Sequence, residues 1–410
     1  MQKTSVHKKT IDDYEKNVNL STQWCRWILK PIGVWPTSDV TGTQKCMYRL
    51  INVMCYSFLS FLCVPGILYV ILEVEDVYNQ IKFFGPSSFC MMAIMKYYLM
   101  ILHENDIRDC IQRIELDWKN ISHDDDKKIM VEKAKFGRQL IALCTFFMYA
   151  VSRSGFAFYY VVLPTSADKI QAADANLTFI PLACPFSSLI IDTRYSPTNE
   201  IVFLLQVVAG ALIHSIASAA CGLAAMLAVH ACGQMEVLMN WLKHLVDGRS
   251  DMGDTVDARI ASVVSQHVRI LKYLTRTEGA LQLISFVEFL GCTLDICLLG
   301  YYVIMESKSN DITSTVTYII LLISLTFNIF IFCYIGELVA EQCRKIGEMT
   351  YMIEWYRLPG NKKLCCVLII AMSNSSITLT AGNMVELSIE TFTNVVKTAF
   401  AFLNVLRTLT

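Results

Sequence analysis

The chain has 410 residues, of which 54% are hydrophobic and 17% charged, and its mean hydropathy is +0.44. That excludes a soluble globular domain and identifies a polytopic membrane protein. A formal net charge of −1 creates no overall basic field, so nothing points to nucleic acid as a partner.

The first 23 residues carry Lys3, Lys8, Lys9, Asp12, Asp13, Glu15 and Lys16 without an apolar core, so no cleavable signal peptide is expected and residues 1–46 read as a cytosolic segment. Apolar runs long enough to cross about 30 Å of hydrocarbon then centre on 49–72, 84–102, 138–163, 199–230, 280–304, 313–339 and 378–409. The expected fold is therefore all-α, with seven transmembrane helices. The fourth run, as helix, reaches about 48 Å, so its end is expected to project into a cytosolic helical bundle. Residues 47–339 hold the first six spans. Residues 340–377 read as a cytosolic anchor segment, with one helix before Pro359-Gly360 and another after it, and 378–410 read as the last span.

Orientation follows from Lys and Arg. The N-terminal region and the 103–138, 231–279 and 340–377 connections hold about 27 of the 35 basic residues. The other three connections hold Lys82, Lys169, Arg194 and Lys308. The N-terminus is thus expected in the cytosol and the C-terminus outside, the reverse of a G-protein-coupled receptor. The sequon Asn176-Leu177-Thr178 falls in an expected external loop and is the candidate glycosylation site. Asn19, Asn120 and Asn374 also begin sequons, on segments expected to be cytosolic.

The 16 cysteines lie mostly in apolar runs with no C-x-x-C and no metal spacing, and read as small core hydrophobes. Cys365-Cys366, beside an expected cytosolic membrane edge, carry two readings, packing or palmitoylation. His214 and His230 share the fourth span without metal spacing, and no catalytic constellation, phosphate loop or cofactor motif is present. Neither catalysis nor a bound cofactor or metal is expected.

Four stretches carry a family resemblance. Pro31-Ile32-Gly33-Val34-Trp35-Pro36 precedes the first span, and Phe332-Cys333-Tyr334-Ile335-Gly336-Glu337 closes the sixth. Trp355-Tyr356 with Leu358-Pro359 follows. The last run contains Leu379-Thr380-Ala381-Gly382, Leu387-Ser388, Glu390-Thr391-Phe392 and Val396-Lys397-Thr398, with Phe402 beyond. Together they resemble the seven-span insect odorant receptors. One departure is Ala399-Phe400-Ala401, where relatives commonly have Ser-Tyr-Ser or Ser-Tyr-Thr.

The resemblance implies a ligand-gated, poorly selective cation channel, a tetramer whose pore is lined by the last helix of each subunit. It also implies assembly with a shared odorant receptor co-receptor in the plasma membrane of olfactory neuron dendrites. The co-receptor has a long insertion between spans four and five. The loop here, from about 231 to 268, is short, so the chain resembles an odorant-recognising, tuning subunit.

The resemblance places Val405 and Leu409 at the family's apolar constriction and Thr408 at the neighbouring polar position. A ring of such apolar side chains closes a pore by dewetting; the plain alternative is that they face lipid or core. It also places the ligand pocket between spans two, three, four and six, in the outer half. In span three, Ser152, Gly155 and Tyr159 share one helical face, with Phe156 beside them. Phe89 and Met92, Phe203 and Val207, and Tyr318 and Leu321 complete the candidate lining for a small apolar odorant, against the alternative of ordinary helix packing.

Charges inside spans need partners or water. Arg407 is near enough to the outer edge to snorkel. Lys397 lies deeper, with a water-filled vestibule, Glu390 or a neighbouring subunit as its options. Lys96 and Arg153 suggest counter-ions, with Glu73, Glu75 and Asp76 as external options, and Glu288 and Asp295 as acids able to pair inside the bundle. Competing functions are weaker. A metabotropic receptor would show Asp-Arg-Tyr and Asn-Pro-x-x-Tyr motifs, and a gustatory-type channel would show a Thr-Tyr and Gln-Phe signature in the last helix; none occurs.

Overall fold

A computed structural model describes residues 2–36, 42–75, 77–157, 182, 184, 186, 187, 191, 193, 197–309, 312–374 and 378–409. Among these, the helices in chain order are α1 (Gln2–Leu29), α2 (Gly42–Leu72), α3 (Val77–Leu102), α4 (Glu104–Asn120), α5 (Asp124–Ala157), α6 (Thr198–Lys243), α7 (Val256–Ser309), α8 (Ile312–Met352), α9 (Lys363–Asn374) and α10 (Ile389–Leu409). Single 3₁₀ turns at Trp355–Arg357 and Gly360–Lys362 flank Pro359. A two-stranded antiparallel hairpin, β1 (Thr380–Ala381) and β2 (Val385–Glu386), precedes α10.

The centre is α6, where every residue from Ile216 to Met235 is buried. Small side chains make this possible. Gly137 of α5 rests against Val229, Gly222 against Ile141, and Gly233 against Met130. Close backbone approach of this kind is how helices pack where lipid weakens the hydrophobic drive. Around the bundle, Val53, Met54 and Ile71 of α2, Met91, Met95 and Tyr98 of α3, Phe146 of α5 and Leu204 of α6 remain exposed. Such an apolar exterior suits hydrocarbon rather than water.

Among the described residues, four helices are long and apolar enough to cross a membrane: Gly42–Leu72, Thr198–Lys243, Val256–Met305 and Tyr318–Met352. Ser87–Leu102 is a shorter apolar helix. The fifth expected span thus belongs to a helix of 54 residues, and much of the expected 231–279 loop is helical. Hydropathy misses this stretch because it is amphipathic: Val263, His267, Ile270 and Leu274 are buried at helical spacing while Lys272, Thr275 and Arg276 face outward. At 1.5 Å per residue α7 reaches about 81 Å, so it continues far beyond a bilayer. Its first half packs with α4 at one end of the molecule.

That end is tied by buried polar groups. The Asp126 carboxylate, at the start of α5, accepts both guanidinium nitrogens of Arg249 at 2.9 and 2.7 Å, Asn240 Nδ2 at 2.8 Å and Trp241 Nε1 at 2.8 Å. Arg259 donates to the Leu245 and Val246 carbonyls at 2.8 Å, closing the chain after α6. At the N-terminal motif, Tyr97 donates to the Ile32 carbonyl at 2.7 Å. Gly33 has φ +72°, a conformation that a Cβ strains, and its backbone lies against Asn52.

The last expected helix begins later than its apolar run. Leu379-Thr380-Ala381-Gly382 forms the hairpin instead, because Gly382 and Asn383 both have positive φ. The Glu278 carboxylate accepts the Thr380 N–H at 3.1 Å and also its hydroxyl, and the Gly382 N–H donates to the Gln282 carbonyl at 3.0 Å. Ser388 caps α10 by accepting the Thr391 N–H at 3.1 Å. A Cβ on Gly336 of α8 would lie 2.5 Å from Leu387 Cβ. Alanine normally gains about 1 kcal/mol over glycine in a helix. At Gly336 overpacking reverses the sign, and Gly336→Ala is expected to cost roughly 1–3 kcal/mol in thermal unfolding of the detergent-purified chain.

Candidate functional site

The membrane half of the bundle is organised by a seam between α3 and α7, which run antiparallel and meet once per helical turn. Lys96 Nζ lies 2.7 Å from Glu288 Oε2, with the two side chains 1% and 0% exposed. One turn along, Met92 packs on Gly291, where a Cβ would come within 2.5 Å of its Cε. At the next turn, the Ser88 hydroxyl is hydrogen-bonded to Asp295 Oδ1. The spacing i, i+4, i+8 on α3 is what puts all three contacts on one face.

A buried ion pair needs its remaining lone pairs filled. Glu288 Oε1 accepts Asn328 Nδ2 of α8 and the Cys292 thiol at 3.0 Å. Asn328 in turn accepts the Cys221 thiol of α6 at 2.9 Å. Four helices are thereby joined through one carboxylate and one amide. The counter-ion of Lys96 is Glu288, not an external acid; Glu73 instead accepts the Ser187 hydroxyl at 2.6 Å. The chain around it is held too: the Cys184 N–H donates to Gln206 Oε1 at 3.3 Å, its carbonyl accepts Gln206 Nε2 at 2.6 Å, and Phe186 meets Phe61 edge-on.

The candidate pocket residues distribute unevenly. Phe89 is half-buried, its ring centroid 5.8 Å from that of His214 on α6. Met92 is buried within the seam. Phe203 and Val207 are half-buried on α6, one turn apart. Tyr318 lies 5.7 Å from Tyr302, whereas Leu321 is exposed. Ser152, Gly155 and Phe156 occupy the last two turns of α5; Tyr159 and Asn176 lie outside the described residues, as does the side chain of Arg153. His230, free of any metal spacing in sequence, is 3.1 Å from Asp117, and no metal-binding cluster occurs among the described residues.

On α10 the described side chains separate into two faces. Val395 and Ala399 are buried, Phe392 meets Phe330 of α8 edge-on, and Leu403 lies where a Cβ on Gly300 of α7 would touch it. Thr393, Asn394, Lys397, Thr398, Ala401 and Asn404 are exposed, with the exposed Phe400 and Phe402 at the edges of that face. Lys397 forms no ion pair with Glu390 among the described residues. The side chains of Val405, Thr408 and Leu409 lie outside the described residues.

The 7tm Odorant receptor family matches residues 79–400, from α3 into α10. The chain belongs to that family. Odorant receptor 10 of Aedes albopictus is 25% identical over 227 residues, which is 53% of this chain and 57% of that receptor. Odorant receptor 22c of Drosophila melanogaster is 18% identical over 390 residues, covering 92% and 94%. The solved structure of the insect olfactory receptor OR5 from Machilis hrabei in complex with eugenol superposes with TM-score 0.79 at 14% identity, covering 97% of this chain and all of that one. The odorant receptor fold thus accounts for the whole bundle, including α3, α5 and α10 beside the four long apolar helices. This odorant receptor is a multi-pass membrane protein of a receptor family, not an enzyme.

Two members of the seam, Ser88 and Asn328, carry no sequence signal of their own. Their chemistry was legible only through Lys96, Glu288 and Asp295, ionisable groups in apolar helices that required partners.

Proposed function

We propose that the chain is the odorant-binding subunit of a ligand-gated, non-selective cation channel that assembles with an odorant receptor co-receptor as a heterotetramer. Its place is the plasma membrane of olfactory neuron dendrites. The N-terminus and the end bundle containing α4 and α9 lie in the cytosol, and the C-terminus and the candidate glycosylation site Asn176 lie outside. The observation that carries this reading is the division of α10. One face packs on α7 and α8, and the other presents Asn394, Lys397, Thr398 and Asn404, groups that require water rather than lipid. A water-filled pore bounded by several copies of α10 supplies it, with Val405 and Leu409 as the apolar constriction and Thr408 between them. The exposed Leu364, Val367, Leu368 and Met372 on α9 suit subunit contacts at the anchor.

The ligand reading places a small apolar odorant among Phe89, Met92, Ser152, Gly155, Phe156, Tyr159, Phe203, Val207, Tyr318 and Leu321. The likeness to a receptor solved with eugenol supports a small-molecule ligand. The test is whole-cell recording from cells expressing this chain with and without the co-receptor, under a panel of volatile and cuticular lipids and without added G protein. A rapid cation current only in the pair is expected; a slow, G-protein-dependent signal would sink the channel reading. Val405→Ala is expected to raise the basal current of the pair at unchanged surface abundance, because a smaller ring dewets less. An unchanged basal current would remove Val405 from the constriction.

A further inference from the structure

Asp295 is 2% exposed, and its two oxygens are unequal. Oδ1 is bonded to the Ser88 hydroxyl, whereas Oδ2 has no hydrogen-bond partner among the described residues. A buried carboxyl oxygen left unpaired is costly wherever water is excluded. The Glu288 carboxylate, two turns away, uses both oxygens.

Ser88 limits the direction of the missing bond. Its hydroxyl lies 2.8 Å from the Gly85 carbonyl as well as against Asp295. A carbonyl can only accept, and a serine hydroxyl has one proton to give. If that proton goes to Gly85, Asp295 is a neutral acid donating to Ser88 through Oδ1. If it goes to Asp295, Oδ1 accepts it, and the carboxyl is either ionised or protonated on Oδ2. In the ionised carboxylate, and in the acid protonated on Oδ1, Oδ2 is an acceptor awaiting a donor. Phe89 follows Ser88 on α3, and its ring meets that of His214 on α6.

We propose that Asp295 Oδ2, held in place by Ser88, is the polar recognition point of the odorant site and selects small amphiphiles whose head group is a hydrogen-bond donor, a hydroxyl or an amine. Phe89 and His214 take the apolar body. This assignment rests on the odorant-binding reading of the bundle, and it adds α7 to the helices that recognise the ligand. It also makes Ser88 a positioning residue, which acts through Asp295 rather than on the ligand.

The test measures ligand-dependent thermal stabilisation of the purified full chain assembled with its co-receptor. The probes are primary alcohols from butanol to decanol, each compared with its isomeric methyl ether. The two members of a pair have the same atoms, but only the alcohol can donate. Half-maximal stabilisation by the best alcohol is expected at roughly 10- to 100-fold lower concentration than by its ether, the discrimination of one hydrogen bond to an acidic group. Asp295→Leu is expected to abolish the difference while the ether response persists. Asp295→Asn, which keeps an acceptor oxygen, retains part of it.

Equal potency of alcohol and ether on the wild-type chain overturns the proposal, as does discrimination that survives in Asp295→Leu, or the absence of stabilisation by any probe. Should the leucine variant fail to assemble, the wild-type comparison and Asp295→Asn decide. Donor-selective stabilisation without any evoked current would overturn the channel reading and leave this site standing.

Discussion

Asp126→Ala is expected to destabilise the full chain by about 3–5 kcal/mol, the range for breaking a buried charge pair by removing one partner. The reason is the number of donors it strands. Arg249, Asn240 and Trp241 all converge on this carboxylate, which is 3% exposed, and Arg249 retains only Asp251, at 2.5 Å, as a charged partner. Asp126→Asn, which keeps the shape but not the charge, should fall between wild type and alanine. Thermal unfolding of the detergent-purified chain and surface abundance in cells both measure this. Loss of less than about 1 kcal/mol on Asp126→Ala would mean that α5 is held to the end of α6 by apolar packing alone.

The same carboxylate predicts a pH dependence. Burial raises its pKa, but the hydrogen bonds from Arg249, Trp241 and Asn240, together with the Arg249 charge, outweigh burial and hold it below the ordinary carboxylate range. A folded-state pKa below the unfolded one adds stability that is fully present above the unfolded value and is lost as pH falls through the folded value. The difference between wild type and Asp126→Ala should therefore be flat from about pH 5 to 8 and shrink below about pH 4. A difference that grows in acid would reverse the sign of the assigned shift.

Asp126 also marks where sequence reading stops. Its partner Arg249 lies 123 positions away in a polar turn, and neither residue is unusual in its local setting. The spans were legible because a helix in hydrocarbon must be apolar all round, a constraint written into consecutive residues. The first half of α7 was read as a loop because it leaves the membrane while remaining helical, and an amphipathic helix has no long apolar run. Likewise Leu379–Gly382 reads as the start of a span by hydropathy, yet positive φ at Gly382 and Asn383 turns the chain into a hairpin. On α10, the apolar positions 405 and 409 read as facing lipid or core as readily as a pore. Only the packing of Phe392 on Phe330, and of Leu403 beside Gly300, shows which face is turned inward.

The seam gives the other large expected effect. Lys96→Met should destabilise the chain by about 3–5 kcal/mol, because Glu288 is left buried and charged with only neutral donors. Glu288→Gln should cost a comparable amount by stranding Lys96. The double variant Lys96→Met with Glu288→Gln is expected to recover most of that loss, since an uncharged pair escapes the desolvation penalty and glutamine keeps an acceptor for Asn328. If the double variant is as unstable as the sum of the singles, the two residues do not act as a pair. If it recovers as expected, stability is a poor reason for keeping charges here, and register is a better one. Sliding α3 along α7 by one turn would set Lys96 against Gly291 and leave Glu288 without its cation, so the pair penalises every register but one. The charge swap, Lys96→Glu with Glu288→Lys, separates the two ideas. It restores Coulomb attraction but presents an ammonium to the Asn328 amide and the Cys292 thiol, which need an acceptor. It should therefore unfold below the neutral double variant; a swap as stable as wild type would show that charge pairing alone holds the seam.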